Sequence, residues 1–506
     1  MTTTPVGREE TAAVQCAERG HNRPVLAGLM LVTFLVAMDS SIVSTALPTI
    51  TGILQGFALY TWVVSIYLLT STVTVPIYGK LADIHGRKRV LLFGIAVFLL
   101  GSVLCAFAQN MFQLVIFRGV QGIGGGAVLP VSVTMLGDMY GLEQRAKVQG
   151  WVGSMWGVSA MIGPALGGLI VDNTSWQWIF LINAPIGVAA AWMIQHYFHE
   201  RVGRTRHSVD YLGAGLLMVS ASALLLALTS GGRDWAWRSP ISLLVIGVAA
   251  ATLALFAIVE RRTAEPVLPF DLLRTRAVAV PGVAGFLVGG VLVGSVTYVP
   301  LFAQGALGSS ATTAGAVIAT MSLGWPIAGY LSGRVIRSYG FRATAVLGGS
   351  LIVLGTAMLI ALAAGSSPYY IALSAFLVGA GLGFATTAFI VGIQEVAAWE
   401  QRGAATGSYL FLRSLGGAVI VAVLGSVVNA SVGAGVRGLP TTNGETLNPL
   451  DVINSVLDPS AAGAAASGPV RAVLATALHA AFVWQAIVAV VALLVILLMP
   501  RGHGAR

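Results

Sequence analysis

Charge is what this chain has least of. Only 9% of its 506 residues are Asp, Glu, Lys or Arg, while 56% are hydrophobic and the mean hydropathy is +0.85. Soluble domains carry about 25% charged residues, so a water-soluble globule is excluded and a protein that crosses a membrane many times is expected. Cysteine is nearly absent as well. Cys16 sits in a polar tail and Cys105 in an apolar run, which supports neither a disulfide framework nor a metal site. No G-x-x-x-x-G-K-[ST] loop occurs, so no ATP-phosphate cradle of that kind drives the protein, and no zinc-ligand spacing or nucleophile elbow is found. Acids are scarce, and Asp39 alone lies well inside an apolar run; Asp138, Asp210 and Glu395 fall at run ends. The net charge of +9 is therefore read for where its cations lie, not as a sign of nucleic-acid binding.

What is present is a series of apolar runs long enough to cross about 30 Å of hydrocarbon as helices. They fall near 25–47, 59–78, 90–109, 112–136, 148–171, 177–198, 211–230, 240–259, 278–302, 312–333, 343–364, 368–390, 406–428 and 476–499, and predict fourteen transmembrane helices. The first is too long for a signal-peptide core and lacks a small-residue cleavage site, so it is expected to be retained. An even number puts both termini on one side. Segments on that side hold 22 Lys and Arg; the opposite ones hold only Arg233, Arg238, Arg437 and Arg471, with Arg118 and Arg413 inside runs. This asymmetry predicts a multi-pass protein of the cell (cytoplasmic) membrane with cytoplasmic termini.

The chain repeats itself. Asp138-x4-Glu143-Gln144-Arg145-x4-Gly150 returns as Glu395-x4-Glu400-Gln401-Arg402-x4-Gly407, offset by 257. Gly79, Lys80, Gly86 and Lys88 return as Gly333, Arg334, Gly340 and Arg342 at an offset of 254. Phe34-Leu35-Val36 and Pro48 match Phe286-Leu287-Val288 and Pro300 at 252. The fold class expected is an all-α membrane protein: a cytoplasmic tail over 1–24, a six-helix bundle over 25–198, linkers with two inserted helices over 199–277, a second six-helix bundle over 278–499 and a tail over 500–506. The segment 429–475, with room for a short helix at 450–457, is expected outside the membrane and has no assigned role. Two parallel repeats around a midplane site are one way to build a secondary transporter.

Asp39 is the first candidate for chemistry. It lies fifteen residues past Pro24, about 22 Å along a helix, where an ionised group costs roughly 2.5–3.5 kcal/mol and is functional by default. A carboxyl against an apolar cavity would be poised to bind and release a proton. Arg118, with Gln121 and Gly122 following on the fourth run, is a second buried charge able to hydrogen-bond backbone or water inside the first bundle. In the loop after the second run, Gly79 and Gly86 permit a tight turn, Asp83 can pair with a cation or a helix N-terminus, and Arg87 and Lys88 hold the loop in the cytoplasm. Gly157, Gly163, Pro164, Gly167 and Gly168 on the fifth run remove a backbone hydrogen bond and allow close packing. Candidates for an adaptable substrate surface are Trp62, Tyr67, Met155, Trp156, Tyr298, Trp325, Tyr409, Phe411, Arg413 and Trp484.

The loop Gly79-Lys80-Leu81-Ala82-Asp83-Ile84-His85-Gly86-Arg87-Lys88 resembles the G-x-L-a-D-x-x-G-r-k pattern of the major facilitator superfamily. Arg118-Gly119-Val120-Gln121-Gly122-Ile123-Gly124 is similar to the R-x-x-q-G-x-G pattern of drug:proton antiporters, and Gly163-Pro164-x2-Gly167-Gly168 to their G-P-x-x-G-G pattern. Met38-Asp39-Ser40-Ser41-Ile42-Val43 with Ala46-Leu47-Pro48 resembles a pattern of the fourteen-helix multidrug branch. The resemblance covers essentially the whole chain. It implies proton transfer at Arg118, an antiporter hinge at the fifth run, and a non-enzymatic exporter of lipophilic compounds; the lone embedded carboxylate predicts neutral or monocationic cargo, and a monomer is expected. The proton would be the coupling ion, with no cofactor and no nucleic-acid partner. One departure is Arg337, which stands in the second copy of the loop where the first has Asp83. A dedicated exporter of one endogenous metabolite, antibiotic or lipid is the alternative; a non-transporting sensor or scaffold has no use for buried charge, and the fifth-run pattern weighs against an importer.

Overall fold

The computed structural model describes residues 6–54, 59–200, 210–231, 235–263, 275–309, 311–362, 366–436 and 468–500. The expected helix at 450–457 and the tail at 501–506 lie outside these residues. The order is α1 (Val6–Leu54), α2 (Tyr60–His85), α3 (Arg87–Ala106), α4 (Met111–Met139), α5 (Leu142–Asn173), the short α6 (Trp178–Leu181), α7 (Asn183–Tyr197), α8 (Tyr211–Ser230), α9 (Pro240–Glu260) and α10 (Arg276–Leu301). A π-helical turn (Phe302–Ala306), α11 (Ala311–Ile360), α12 (Pro368–Val396), a 3-10 turn (Trp399–Gln401), α13 (Arg402–Val436) and α14 (Gly468–Ile496) complete it.

Among the described residues eleven helices are long and apolar enough to cross a membrane. This is the all-helical membrane architecture expected, with fewer such spans than the fourteen runs. The segment Thr313–Ile360 counts once, although Gly340 breaks its helical geometry; Leu212–Leu228 in α8 is shorter, and α5 is not among the eleven. α1 starts at Val6, well before the predicted 25, because the polar stretch ahead of the run is rich in helix-forming Glu, Ala, Gln and Arg.

The chain divides into two compact units. The first holds Met1–Gly141, Val158–Asp210 and Trp399–Gly407; the second holds Leu142–Gly157, Tyr211–Ala398 and Ser408–Arg506. In the first, α4 lies against α2 and α3 through glycines: a Cβ at Gly122 would meet the Tyr67 carbonyl, one at Gly126 the Ser71 carbonyl, and one at Gly94 the Gly124 carbonyl. In the second, Gly379 meets the Met321 carbonyl, Gly383 the Trp325 carbonyl and Gly348 the Gly381 carbonyl. Each pair sits 254 or 257 residues after its counterpart, so the sequence repeat is also a repeat of backbone approaches.

Two hinges of the chain follow the same rule. Gly86, between α2 and α3, has φ 90° and ψ 142°, and Gly340, inside α11, has φ 83° and ψ 174°. Both conformations are costly for any residue with a Cβ, and both glycines stand at the same place in the repeat. The repeated acid and arginine also find partners: Arg402 Nη1 lies 3.4 Å from Asp138 in the first unit, and Arg145 Nη1 lies 3.5 Å from Glu395 in the second.

Candidate functional site

The apolar core of the first unit includes Met38, Ile42, Val43, Cys105, Leu114, Ile179 and Phe180. Asp39 points into this region from α1 and is fully buried. Its Oδ2 is 2.6 Å from Arg118 Nη1 of α4, and its Oδ1 accepts from Gln121 Nε2 at 2.8 Å and Asn183 Nδ2 at 2.9 Å. Arg118 Nη1 also donates to Gln121 Oε1 at 2.7 Å and its Nε to the Val63 carbonyl at 3.4 Å, while its guanidinium carbon lies 4.2 Å from the Tyr67 ring centroid. Asn183 Nδ2 reaches Ser102 Oγ at 2.9 Å, and that hydroxyl donates to the Phe180 carbonyl at 2.8 Å.

The arrangement explains how a carboxylate survives here. An unpaired ion in an apolar interior is prohibitive, and a buried pair persists only with good geometry and its remaining lone pairs satisfied. Arg118 supplies the charge, and the amides of Gln121 and Asn183 supply the second oxygen. Expected as a solitary acid against an apolar cavity, Asp39 is a matched one. A single sequence shows which runs carry charge but not which helix faces turn toward each other.

Asn183 and Ser102 were not singled out from the sequence. The available signal was Asn183-Ala184-Pro185 interrupting the apolar run, where α6 ends and α7 begins. Asn183 opens α7 at that break, and its side-chain amide reaches Asp39 of α1 and Ser102 of α3.

A second cluster joins the α2–α3 turn to the start of α13, all within the first unit. Asp83 accepts the Gly403 N–H at 2.9 Å and the Ala404 N–H at 2.7 Å, one bond to each carboxylate oxygen. Unsatisfied amides at a helix N-terminus carry partial positive charge, so this is a favourable seat for an anion. Arg87 stands 3.5 Å from Asp83, bonds Asp138 at 2.6 Å and the Trp399 carbonyl at 3.0 Å, and stacks 4.2 Å from the Trp399 ring centroid. Glu200 accepts from the Arg87 and Lys88 backbone N–H groups at 2.6 and 3.3 Å, and Lys88 Nζ donates to the Gln195 carbonyl at 2.7 Å. A Cβ at Gly79 would lie 2.5 Å from the Gly403 carbonyl oxygen, which is why α2 is bare at that point.

The fifth-run glycines divide between the units. A Cβ at Gly157 would lie 2.8 Å from Ser322 Cβ, one at Gly163 would lie 2.5 Å from Ser41 Cβ, and one at Gly168 would meet nothing within 4 Å. α5 continues through Pro164 without interruption, and Gly167 is buried.

Of the ten surface candidates, Tyr67, Tyr298, Tyr409 and Phe411 are buried, Trp156 and Trp484 are exposed, and Trp62, Met155, Trp325 and Arg413 are intermediate. Tyr67 stacks on Arg118 and Tyr298 donates to the Val421 carbonyl at 3.3 Å. Trp325, Tyr409 and Arg413 come together in the second unit.

The family model described as Major Facilitator Superfamily matches residues 29–421. The chain is similar to the multidrug transporter protein MdtP of Bacillus subtilis, 36% identical over 409 residues that cover 81% of this chain and 76% of that protein. Multidrug resistance protein 3 of the same organism is 35% identical, covering 81% and 80%. The efflux pump dotC of Dothistroma septosporum is 32% identical, covering 80% and 70%. Among solved structures, the human organic anion transporter MFSD10 superposes with a TM-score of 0.61 over 94% of this chain and 99% of that one; at 15% identity this likeness concerns the fold alone.

Proposed function

Because the chain belongs to the Major Facilitator Superfamily, we propose that it is a drug:proton antiporter that exports lipophilic compounds by alternating access. The observation that supports the reading is the Asp39–Arg118 pair, buried in the first unit and completed by Gln121 and Asn183. As an ion pair the network is balanced. A proton added to Asp39 leaves the arginine charge unanswered, so the protonated and ionised forms favour different arrangements of the surrounding helices. One proton entering down 100 mV contributes about 2.3 kcal/mol to that switch. Arg118 acts in proton transfer as the charge partner that Asp39 loses when it takes up a proton.

The relatives named as multidrug transporters and efflux pumps support drug-type cargo. The preference for neutral or monocationic compounds expected from a lone carboxylate loses its basis once Arg118 matches that carboxylate. The protein works as a monomer; it lies in the cytoplasmic membrane with both termini inside, an orientation that the 22 to 4 distribution of Lys and Arg supports. It has fourteen spans: Gly340 divides α11 in two, and α5 and α8 complete the count. The fit of Gly163 against Ser41 supports α5 as the hinge beside α1. Neither a cofactor nor nucleic acid is required.

Ethidium efflux from inverted membrane vesicles tests the reading. Wild type accumulates the dye when the proton-motive force is imposed, and Asp39→Asn does not. Accumulation by Asp39→Asn at the wild-type rate would remove the coupling role of this carboxylate.

A further inference from the structure

Among the described residues the second unit has no counterpart of the buried Asp39–Arg118 pair. By the repeat offsets, Asp39 corresponds to Val291, Arg118 to Ala375 and Gln121 to Val378, so no ion pair is built there. In that region Gln485 donates to the Val291 carbonyl at 3.0 Å and to Ser295 Oγ at 2.6 Å, a neutral network. Arg413 instead stands where the first copy has Trp156, and Glu395, at the far end of α12, is the only acid in helices α10 to α14. Arg413 lies eleven residues into the candidate span Arg402–Gly435, about 16 Å along the helix.

Its surroundings hold the stem and bring Tyr409 and Trp325 to the head. α10 meets α13 through glycines: a Cβ at Gly289 would lie 3.0 Å from Arg413 Cγ, and one at Gly285 would strike the Tyr409 ring. The guanidinium carbon lies 5.9 Å from the Trp325 ring centroid, at the outer reach of a cation–π contact, and the side chain is only partly buried. No acid pairs with it among the described residues. One turn earlier on the same face, Tyr409 is 1% exposed, and its hydroxyl lies beside Arg413 and reaches no other hydrogen-bond partner among the described residues. A cation this deep in a span turns toward protein or water, not lipid, and it normally finds a counter-charge. Here the protein supplies a guanidinium, a phenol and an indole face side by side.

We propose that Arg413 and Tyr409 seat the anionic group of a transported compound, so that lipophiles bearing a carboxylate or comparable monoanionic head are among the cargo, beside cations such as ethidium that do not use this seat. The guanidinium and the phenol O–H donate to the oxygens, and Trp325 contacts the apolar body. This assignment rests on the export reading, to which it adds a substrate class.

Dansyl-leucine and dansyl-leucinamide share an apolar body and differ by one negative charge. Their binding to the full-length protein in lipid nanodiscs is read from dansyl fluorescence with no proton gradient present. Wild type is expected to bind dansyl-leucine at least about tenfold more tightly than the amide, the difference a charge-assisted hydrogen bond provides. Arg413→Gln loses that preference but keeps its affinity for the amide, and Arg413→Lys keeps most of the preference. No preference in wild type, or an unchanged one in Arg413→Gln, overturns the proposal. Equal weakening of both probes in Arg413→Gln also overturns it, since that marks a packing arginine. Displacement of dansyl-leucine by acetate alone overturns it as well, since the seat would then serve small free anions. A wild type that prefers the carboxylate yet never moves either probe against a gradient would sink the export reading and leave the anion seat standing.

Discussion

Asp39 and Arg118, 79 residues apart in the chain, meet at 2.6 Å with 0% and 1% of their side chains exposed. Neither is tolerable there alone. Removing one partner of such a pair strands the other charge and costs about 3–5 kcal/mol, whereas neutralising both costs far less.

Thermal unfolding in detergent reads this asymmetry. Arg118→Gln destabilises the protein strongly, and adding Asp39→Asn to it recovers at least half of the loss. Simple additivity of the two substitutions would show that the pair is not coupled.

Asp83 caps α13 with both oxygens, so Asp83→Asn keeps one acceptor and Asp83→Ala keeps none. Loss of a helix cap costs about 1 kcal/mol, which corresponds to several-fold faster amide exchange at Gly403 and Ala404. Hydrogen exchange measured by mass spectrometry should rank Asp83→Ala above Asp83→Asn above wild type. Identical exchange in all three would mean that the carboxylate does not hold those amides.

Gly86 and Gly340 share a positive φ at equivalent repeat positions. An alanine at either carries a Cβ in a left-handed conformation at a cost of about 1–2 kcal/mol. Gly86→Ala and Gly340→Ala should each lower the unfolding temperature by a few degrees, with Gly86→Ala the more severe because its Cβ would meet Glu200 at 2.6 Å. A neutral substitution at both sites would contradict the conformations described.

Much of this was legible in the sequence, for identifiable reasons. The glycines that recur at offsets of 254 and 257 do so because helices approach at those points, and a bare backbone is a local requirement that leaves a local trace. Asp39 and Arg118 stood out because charge in an apolar run is rare. Their partnership did not, since it depends on the register between α1 and α4. Asn183 and Ser102 carry no charge and follow no period, so nothing marked them before α7 was placed beside α1. The same blindness to facing holds for the aromatics: Tyr67 stacks on Arg118 and Tyr409 lies beside Arg413, neighbours that a single sequence does not name. Asp83 was expected to meet a cation or a helix N-terminus; it meets both, and the helix in question begins more than 300 residues away.

The most direct measurement follows protons and ethidium together in proteoliposomes, with a pH-sensitive dye inside. In the wild type an imposed ethidium gradient should drive proton movement in the opposite direction. Asp39→Asn should still exchange labelled for unlabelled ethidium across the membrane while moving no protons. Proton movement coupled to ethidium in the Asp39→Asn protein would contradict the assignment of Asp39 as the exchanging group.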